Sequence, residues 1–173
     1  MAFSADGQTL ATSAGKSDDE SPASVKLWDV ATGKEKMELG VAALSLAFSP
    51  DGKTLAMGVG GDEKTKQPGS VQLWDLTTGK QRASMPGHDG GDWSVGFTPD
   101  GKTLVSVGWH EKGKPAGALV FPPRNPRLKV WDVATAKERA NIAIPGGYAW
   151  FPKVPLVFTA DSNTLISATW TFR

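Results

Sequence analysis

Two short motifs recur along the chain in a fixed order, and this repetition constrains the fold more than any other feature of the sequence. The first motif reads F-[ST]-x-D-[GS]-x-T-L and begins at Phe3, Phe48, Phe97 and Phe158. The second reads [KQ]-[LV]-W-D-[VL]-[AT]-T-[GA]-K, and its tryptophans are Trp28, Trp74 and Trp131. Because the motifs alternate, with copies roughly 45–60 residues apart, the chain is a series of copies of one structural unit.

The residues of each copy favour four short strands. The run 44–48 alternates large and small side chains, as a strand buried on one face does. Asp-Gly then supplies a tight turn into a second strand. After a variable connection comes the Trp-Asp strand, and Thr-Gly-Lys leads into a fourth strand such as 35–39 or 82–85. No segment keeps a helical apolar period, so each unit is predicted to be one propeller blade.

The segments FSPDGKTL and VQLWDLTTGK, together with VKLWDVATGKE, resemble the WD repeats common in bacterial propellers. The resemblance covers nearly the whole chain and implies strands a to d running outward from a central channel, with the tryptophan on strand c. The predicted fold class is therefore all-β, with blades of four antiparallel strands. We expect a single segment, 1–173, of about three and a half blades: blade 1 about 1–40, blade 2 about 41–87, blade 3 about 88–146 and a partial blade 4 about 147–173.

The phase of the repeats predicts unmatched ends. The chain opens at strand a of its first blade and stops near the end of strand b of its fourth. We therefore expect an open fragment of a larger propeller, or a truncated gene product, in preference to an arc that closes by assembly. Self-association through open sheet edges is a further expectation, because such edges pair readily.

The connections that vary in length predict the binding surface. The b–c connections, about 14–24, 60–70 and 109–127, are all long, and the d–a connection 146–156 is long and aromatic. The resemblance places these connections on one face, where variable loops on a rigid scaffold bind partners. In the connection 109–127, four cations flank an apolar tip, which is typical of protein or peptide docking. Candidate partner-binding residues are Trp109, Leu119, Phe121, Arg124, Arg127, Tyr148 and Trp150. The alternative that 119–121 folds back onto the blades stays open.

The remaining conspicuous residues are interpreted as structural. They are Trp28, Asp29, Trp74, Asp75, Trp131, Asp132, His88 and Ser106. In the family a histidine before strand a shares hydrogen bonds with a Ser or Thr on strand b, an Asp near the b–c connection and the Trp of strand c. His88, Ser106 and Trp131 match this set, but His110 stands where the Asp is expected, which leaves the set incomplete.

Composition and motif searches exclude several other functions. Nineteen basic and eighteen acidic side chains nearly cancel, so no global charge favours nucleic acid or a membrane surface. Without cysteine, a nucleophile elbow, a phosphate-binding loop or clustered metal ligands, we expect no catalytic residue, no metal and no cofactor. The N-terminus does not resemble a secretory signal, and of the compartments the cytoplasm is favoured. The predicted function is a non-catalytic scaffold for a protein or peptide partner. Two alternatives stay open: a cofactor- or substrate-binding propeller attached to an enzyme, and a remnant without independent function.

Overall fold

Short strands make up the regular secondary structure of the described chain. A computed structural model describes residues 1–14, 24–61, 68–88, 92–109, 126–144 and 156–167, apart from the side chains of residues 92, 93, 109 and 167. Within these ranges there is no helix. The strands are β1 (Ala2–Phe3), β2 (Thr9–Ala14), β3 (Ser24–Asp29), β4 (Glu35–Leu39), β5 (Ser45–Phe48), β6 (Thr54–Val59), β7 (Ser70–Asp75), β8 (Lys80–Pro86), β9 (Asp92–Phe97), β10 (Thr103–Trp109), β11 (Pro126–Asp132), β12 (Lys137–Ala143), β13 (Leu156–Phe158) and β14 (Leu165–Ser167).

The strands pair only with their neighbours in the chain. Three four-stranded antiparallel sheets have the orders β1-β2-β3-β4, β5-β6-β7-β8 and β9-β10-β11-β12, and β13 pairs with β14 in a two-stranded sheet. We call these sheets blades 1 to 4 and the strands of each blade a to d in chain order. The all-β fold class and the architecture of three and a half blades are thus confirmed.

The a–b turn is closed in the same way in all four blades. In blade 2, Ser49 Oγ donates to Asp51 Oδ1 at 2.5 Å and accepts a hydrogen bond from Thr54 N at 2.9 Å. Asp51 Oδ1 also accepts from Lys53 N at 3.0 Å. The glycine of the turn adopts φ +69°, which a residue without Cβ adopts at little cost. Blade 4 carries Ser162 at that position, with φ +62°.

The Trp-Asp dipeptide ends strand c and begins the c–d turn. Asp29 Oδ1 accepts hydrogen bonds from the backbone N and the hydroxyl of Thr32, both at 2.8 Å. The sheet register shifts immediately before each of the three tryptophans, which marks a β-bulge at this point of every complete blade. The turn closes on a residue of positive φ, which is Gly33 and Gly79 in blades 1 and 2 but Ala136 in blade 3.

Apolar side chains fill the space between successive blades. The cluster between blades 1 and 2 joins Ala11, Val25, Leu27 and Leu39 to Leu55 and Met57. The cluster between blades 2 and 3 joins Ala56, Val71, Leu73 and Met85 to Val95, Phe97, Leu104 and Trp131. Each blade therefore presents small and aliphatic side chains to the next blade, and large side chains of strands a, b and c to the previous one. This alternation is the period-2 pattern of the strands.

The antiparallel order separates two kinds of connection. Strands b and d run toward the same end of the blade, and strand c starts from that end. We call this end the loop face, and the end with the a–b and c–d turns the turn face. Polar contacts between blades keep like ends together: Asp100 N donates to Ser162 Oγ between two turns, and Ala43 N donates to Ser13 Oγ at the loop face.

Candidate interaction face

The loop face is held by backbone pairs at the base of each connection. In the b–c connections these pairs are Ala14↔Ser24, Val59↔Ser70 and Trp109↔Pro126. In the d–a connections, Leu44 N donates to Gly58 O at 2.7 Å and Gly87 N donates to Gly69 O at 2.9 Å. The connections that were predicted to bind a partner therefore leave from ordered positions of neighbouring strands.

Most of the predicted partner-binding residues lie outside the described residues. These are Leu119, Phe121, Arg124, Tyr148 and Trp150. Trp109 ends strand β10, and its side chain is not described. Only Arg127 is described in full, so the assignment of these residues to a binding site stays a prediction.

Arg127 lies at the start of strand β11, directly beside the connection 110–125. Its Nε donates to Asn141 Oδ1 at 2.5 Å, and a terminal nitrogen donates to Asn141 O at 3.2 Å. Asn141 belongs to strand β12 of the same blade, so the two contacts fix the guanidinium against the outer strand. An arginine held in this way can contact a partner with little loss of side-chain entropy.

His88, Ser106 and Trp131 come together beneath the loop face. Trp131 Nε1 donates to Ser106 Oγ at 3.0 Å, and His88 Nε2 lies 3.1 Å from the same hydroxyl. All three residues are buried, with 1% of Trp131, 3% of His88 and no part of Ser106 exposed. The set joins the d–a connection to strands b and c of blade 3. A structural role for His88 remains a prediction, and this geometry supports it.

The His88–Ser106 distance is also that of a nucleophile and its base, but burial argues against that chemistry. Ser106 is fully buried, and its hydroxyl already accepts the indole N–H. A nucleophile must reach the atom it attacks, and a base must exchange its proton during turnover. The pair therefore has the separation of a catalytic pair without the access to a substrate.

A hydroxyl of strand b accepts the indole N–H of strand c in blade 1 as it does in blade 3, whereas blade 2 uses a different acceptor. Trp28 Nε1 donates to Thr12 Oγ1 at 2.8 Å in blade 1. In blade 2, where Met57 replaces the hydroxyl residue, Trp74 Nε1 donates to Gln72 Oε1 at 3.0 Å. Gln72 was missed by sequence reasoning, although it lies two residues before the tryptophan and hence on the same side of strand c.

Lys129 fixes blade 3 to blade 2 and was also missed. Its Nζ donates to Gly87 O at 2.7 Å and to Pro86 O at 3.1 Å, and lies 3.3 Å from Glu138 Oε2. The same nitrogen lies 5.2 Å from the centroid of the Trp131 ring, within the range of a cation–π contact. Lys129 is in the position equivalent to Gln72, and only the contact with the neighbouring blade reveals its role.

The turn face carries many carboxylates, yet its own turns occupy them. Hydrogen bonding to Ser4 is the main cause that lowers the pKa of Asp6, and Ser49 and Thr98 have the same effect on the pKa values of Asp51 and Asp100. The pKa of Asp29 is lowered chiefly by Thr32. In the described part of the chain, no group of three or more His, Asp or Glu side chains could hold a metal ion. The described segments also include no helix that is long and apolar enough to span a membrane.

Comparison with known proteins supports the fold. No protein-family model and no curated protein matches the sequence. The solved structure of U3-55K, a WD40 β-propeller protein, is similar, with a TM-score of 0.61 and 18% sequence identity. The match covers 85% of this chain but 39% of the U3-55K chain. The described blades thus have a WD40-like propeller fold, and the chain spans well under half the length of this structural neighbour.

Proposed function

We propose that the chain is a non-catalytic scaffold that presents its b–c and d–a connections to a protein or peptide partner. The observation that carries this proposal is the difference between the two faces of the blades. The turn face repeats one closed turn four times, whereas the loop face bears connections that differ in length and composition.

The aspartates of the turn face are already hydrogen-bonded within their own turns. In every a–b turn the aspartate accepts hydrogen bonds from a hydroxyl and a backbone N–H of the same turn. The aspartates that follow the tryptophans accept from their own c–d turns in the same manner. A partner that displaced these bonds would have to replace each of them, at a cost of about 1 kcal/mol or more per bond.

The loop face combines a rigid base with variable sequence. Lys129 and the His88–Ser106–Trp131 set fix the d–a connection of blade 3 at its start. The connection 110–125 contains Phe121 and Arg124, and residues of these types are the usual energetic anchors of protein interfaces. Rigid support beneath variable loops is the arrangement expected of a binding surface. The likeness to a WD40 propeller supports a scaffold role in general terms.

A selected peptide can serve as the probe, since the natural partner is unidentified. A peptide would be isolated from a random phage-displayed library on the immobilised 173-residue chain, and its affinity measured by calorimetry. We expect the double variant Phe121→Ala/Arg124→Ala to weaken binding at least tenfold, which is about 1.4 kcal/mol.

A matched variant of the turn face provides the control. Lys53→Ala/Lys102→Ala alters two exposed side chains beside the a–b turns, and peptide affinity should stay unchanged. Equal affinity for wild type and the loop-face variant, together with a loss in the turn-face variant, would refute the assignment of the face.

A further inference from the structure

Arg127, at the loop face of blade 3, has no carboxylate partner among the described residues. Two other cations of the same blade are paired. Lys129 Nζ lies 3.3 Å from Glu138 Oε2, and Arg139 contacts the Asp132 carboxylate. The described part of the chain therefore neutralises those two charges and leaves the charge of the Arg127 guanidinium uncompensated.

The contacts with Asn141 use one edge of the Arg127 guanidinium. Nε donates to Asn141 Oδ1 at 2.5 Å, and Nη2 donates to Asn141 O at 3.2 Å. Because a guanidinium has five N–H groups, one N–H of Nη2 and both of Nη1 remain. Two of these remaining bonds are parallel, one on each terminal nitrogen, and this geometry matches the two oxygens of a carboxylate. Arg127 is partly exposed and Asn141 exposed, so a ligand can reach them.

This guanidinium belongs to the base of the connection 110–125. Arg127 is the second residue of β11, and it pairs with Gly108 next to the end of β10. The connection 110–125 contains three Lys or Arg and one Glu, whereas the connection 15–23 of blade 1 contains one Lys and three Asp or Glu. The sequence beside Arg127 is thus basic, which favours a negatively charged ligand there.

We propose that the partner of the loop face is an acidic peptide, and that one of its Asp or Glu carboxylates binds the open edge of the Arg127 guanidinium. This inference rests on the proposed function and names the chemistry of its partner. One carboxylate carries a single negative charge, which one guanidinium balances. A phosphate group carries more charge and is typically bound by several arginines, but the neighbouring Lys129 is already paired with Glu138.

Asn141 is a positioning residue in this site. It fixes the guanidinium through its side-chain oxygen and its backbone carbonyl, and it acts on the peptide through Arg127. An arginine that is already held in place loses less side-chain entropy when it binds. Loss of the Asn141 side chain should therefore affect only those peptides that use the guanidinium.

Double-mutant cycles with a selected peptide test the proposal. Peptides would be isolated from a random phage-displayed library on the immobilised full chain. Each acidic residue of the tightest binder would then be changed to its amide, Asp to Asn or Glu to Gln. The chain variants are Arg127→Gln and Asn141→Ala, and the control is Arg139→Gln, which removes an arginine near the c–d turn of the same blade. Calorimetry would measure the affinity of each combination.

We expect one acid-to-amide change in the peptide to weaken binding to the wild type about tenfold, and Arg127→Gln to weaken binding of the acidic peptide by a similar factor. The two changes together should cost no more than either alone, because both remove the same contact. Asn141→Ala should weaken binding of the acidic peptide about threefold and leave the amide peptide unaffected, which a general loss of folding would not do. Arg139→Gln should leave both affinities unchanged.

The outcomes separate this inference from the proposed function. A peptide that requires Phe121 and Arg124, yet contains no acidic residue or binds equally well as its amide, would overturn the acidic partner and leave the scaffold function intact. Additive effects of the peptide change and Arg127→Gln would overturn the assignment to Arg127. Failure to isolate any peptide that binds through the loop face would overturn the proposed function and this inference with it.

Discussion

Removing the Ser106 hydroxyl tests whether the buried hydrogen-bonded set holds blade 3 together. In Ser106→Ala the indole N–H of Trp131 loses its acceptor at a site where the tryptophan is 1% exposed. A buried donor without an acceptor costs about 1–3 kcal/mol, and water cannot replace the hydroxyl without a new cavity. We expect the free energy of unfolding to fall by about 2 kcal/mol.

Thr12→Val is the matched control in blade 1. It removes the acceptor of the Trp28 indole, a bond of 2.8 Å, while it preserves the shape of the side chain. Trp28 is only half-buried, so its N–H can turn to water, and the net cost of the lost bond is about 0.5–1 kcal/mol. Both variants remove the hydroxyl that accepts an indole N–H, in surroundings that differ in burial.

Urea unfolding followed by circular dichroism and tryptophan fluorescence would measure both changes, at protein concentrations low enough to suppress association. The dependence on urea should have the same slope in the wild type and both variants, so that the free energies are comparable. Equal destabilisation by Ser106→Ala and Thr12→Val would show that burial does not set the cost of the lost hydrogen bond. A Ser106→Ala protein with the same free energy of unfolding as the wild type would show that the buried set does not hold blade 3 together.

Three further predictions concern the turns and the contact between blades. Gly33→Ala places a methyl group in open space at φ +68° and should destabilise the fold by about 1 kcal/mol in urea unfolding. Gly79→Ala should cost less, because its methyl group would contact Met37 at 3.5 Å, and equal costs would contradict this order. Hydrogen bonds within the turns lower the pKa values of their aspartates in the folded chain. The contribution of these aspartates to the free energy of unfolding is therefore complete above their unfolded pKa of about 3.9, and it is lost as the pH falls through the folded pKa. The free energy of unfolding should therefore decrease at pH values below about 4. If this decrease is equally steep in Asp51→Asn, the acid sensitivity does not arise from the aspartates of the turns. Lys129→Met should lower the free energy of unfolding by about 1–2 kcal/mol, because the contacts with Pro86 and Gly87 are lost. Lys26→Met removes a more exposed ion pair within blade 1, so it should change thermal unfolding little.

The repeat predicted the architecture well because each motif encodes a local event. Asp51 and Gly52 form a turn from their own side-chain and backbone chemistry, so the turn could be predicted without knowledge of the rest of the fold. The alternation in 44–48 likewise predicted a half-buried strand, and β5 lies within it. Local rules of this kind needed no information from other blades.

Contacts between blades could not be predicted from the motifs. Lys129 reads as an ordinary solvent-exposed lysine in the repeat, and only its approach to Pro86 and Gly87 shows that it bridges two blades. Within blade 2, Gln72 accepts the indole N–H of Trp74 where Met57, its partner on the adjacent strand, has no hydroxyl. The exposure of Phe3 depends on which blade is adjacent, a property of the assembled fold and not of the motif.

Amide hydrogen exchange of the full chain, with and without a library-selected peptide, tests the loop-face assignment most directly. We expect new protection within residues 110–125 and in the neighbouring connection 145–155, with unchanged exchange in the a–b turns at 50–53 and 99–102. Protection confined to those turns would contradict a scaffold that binds through its loop face.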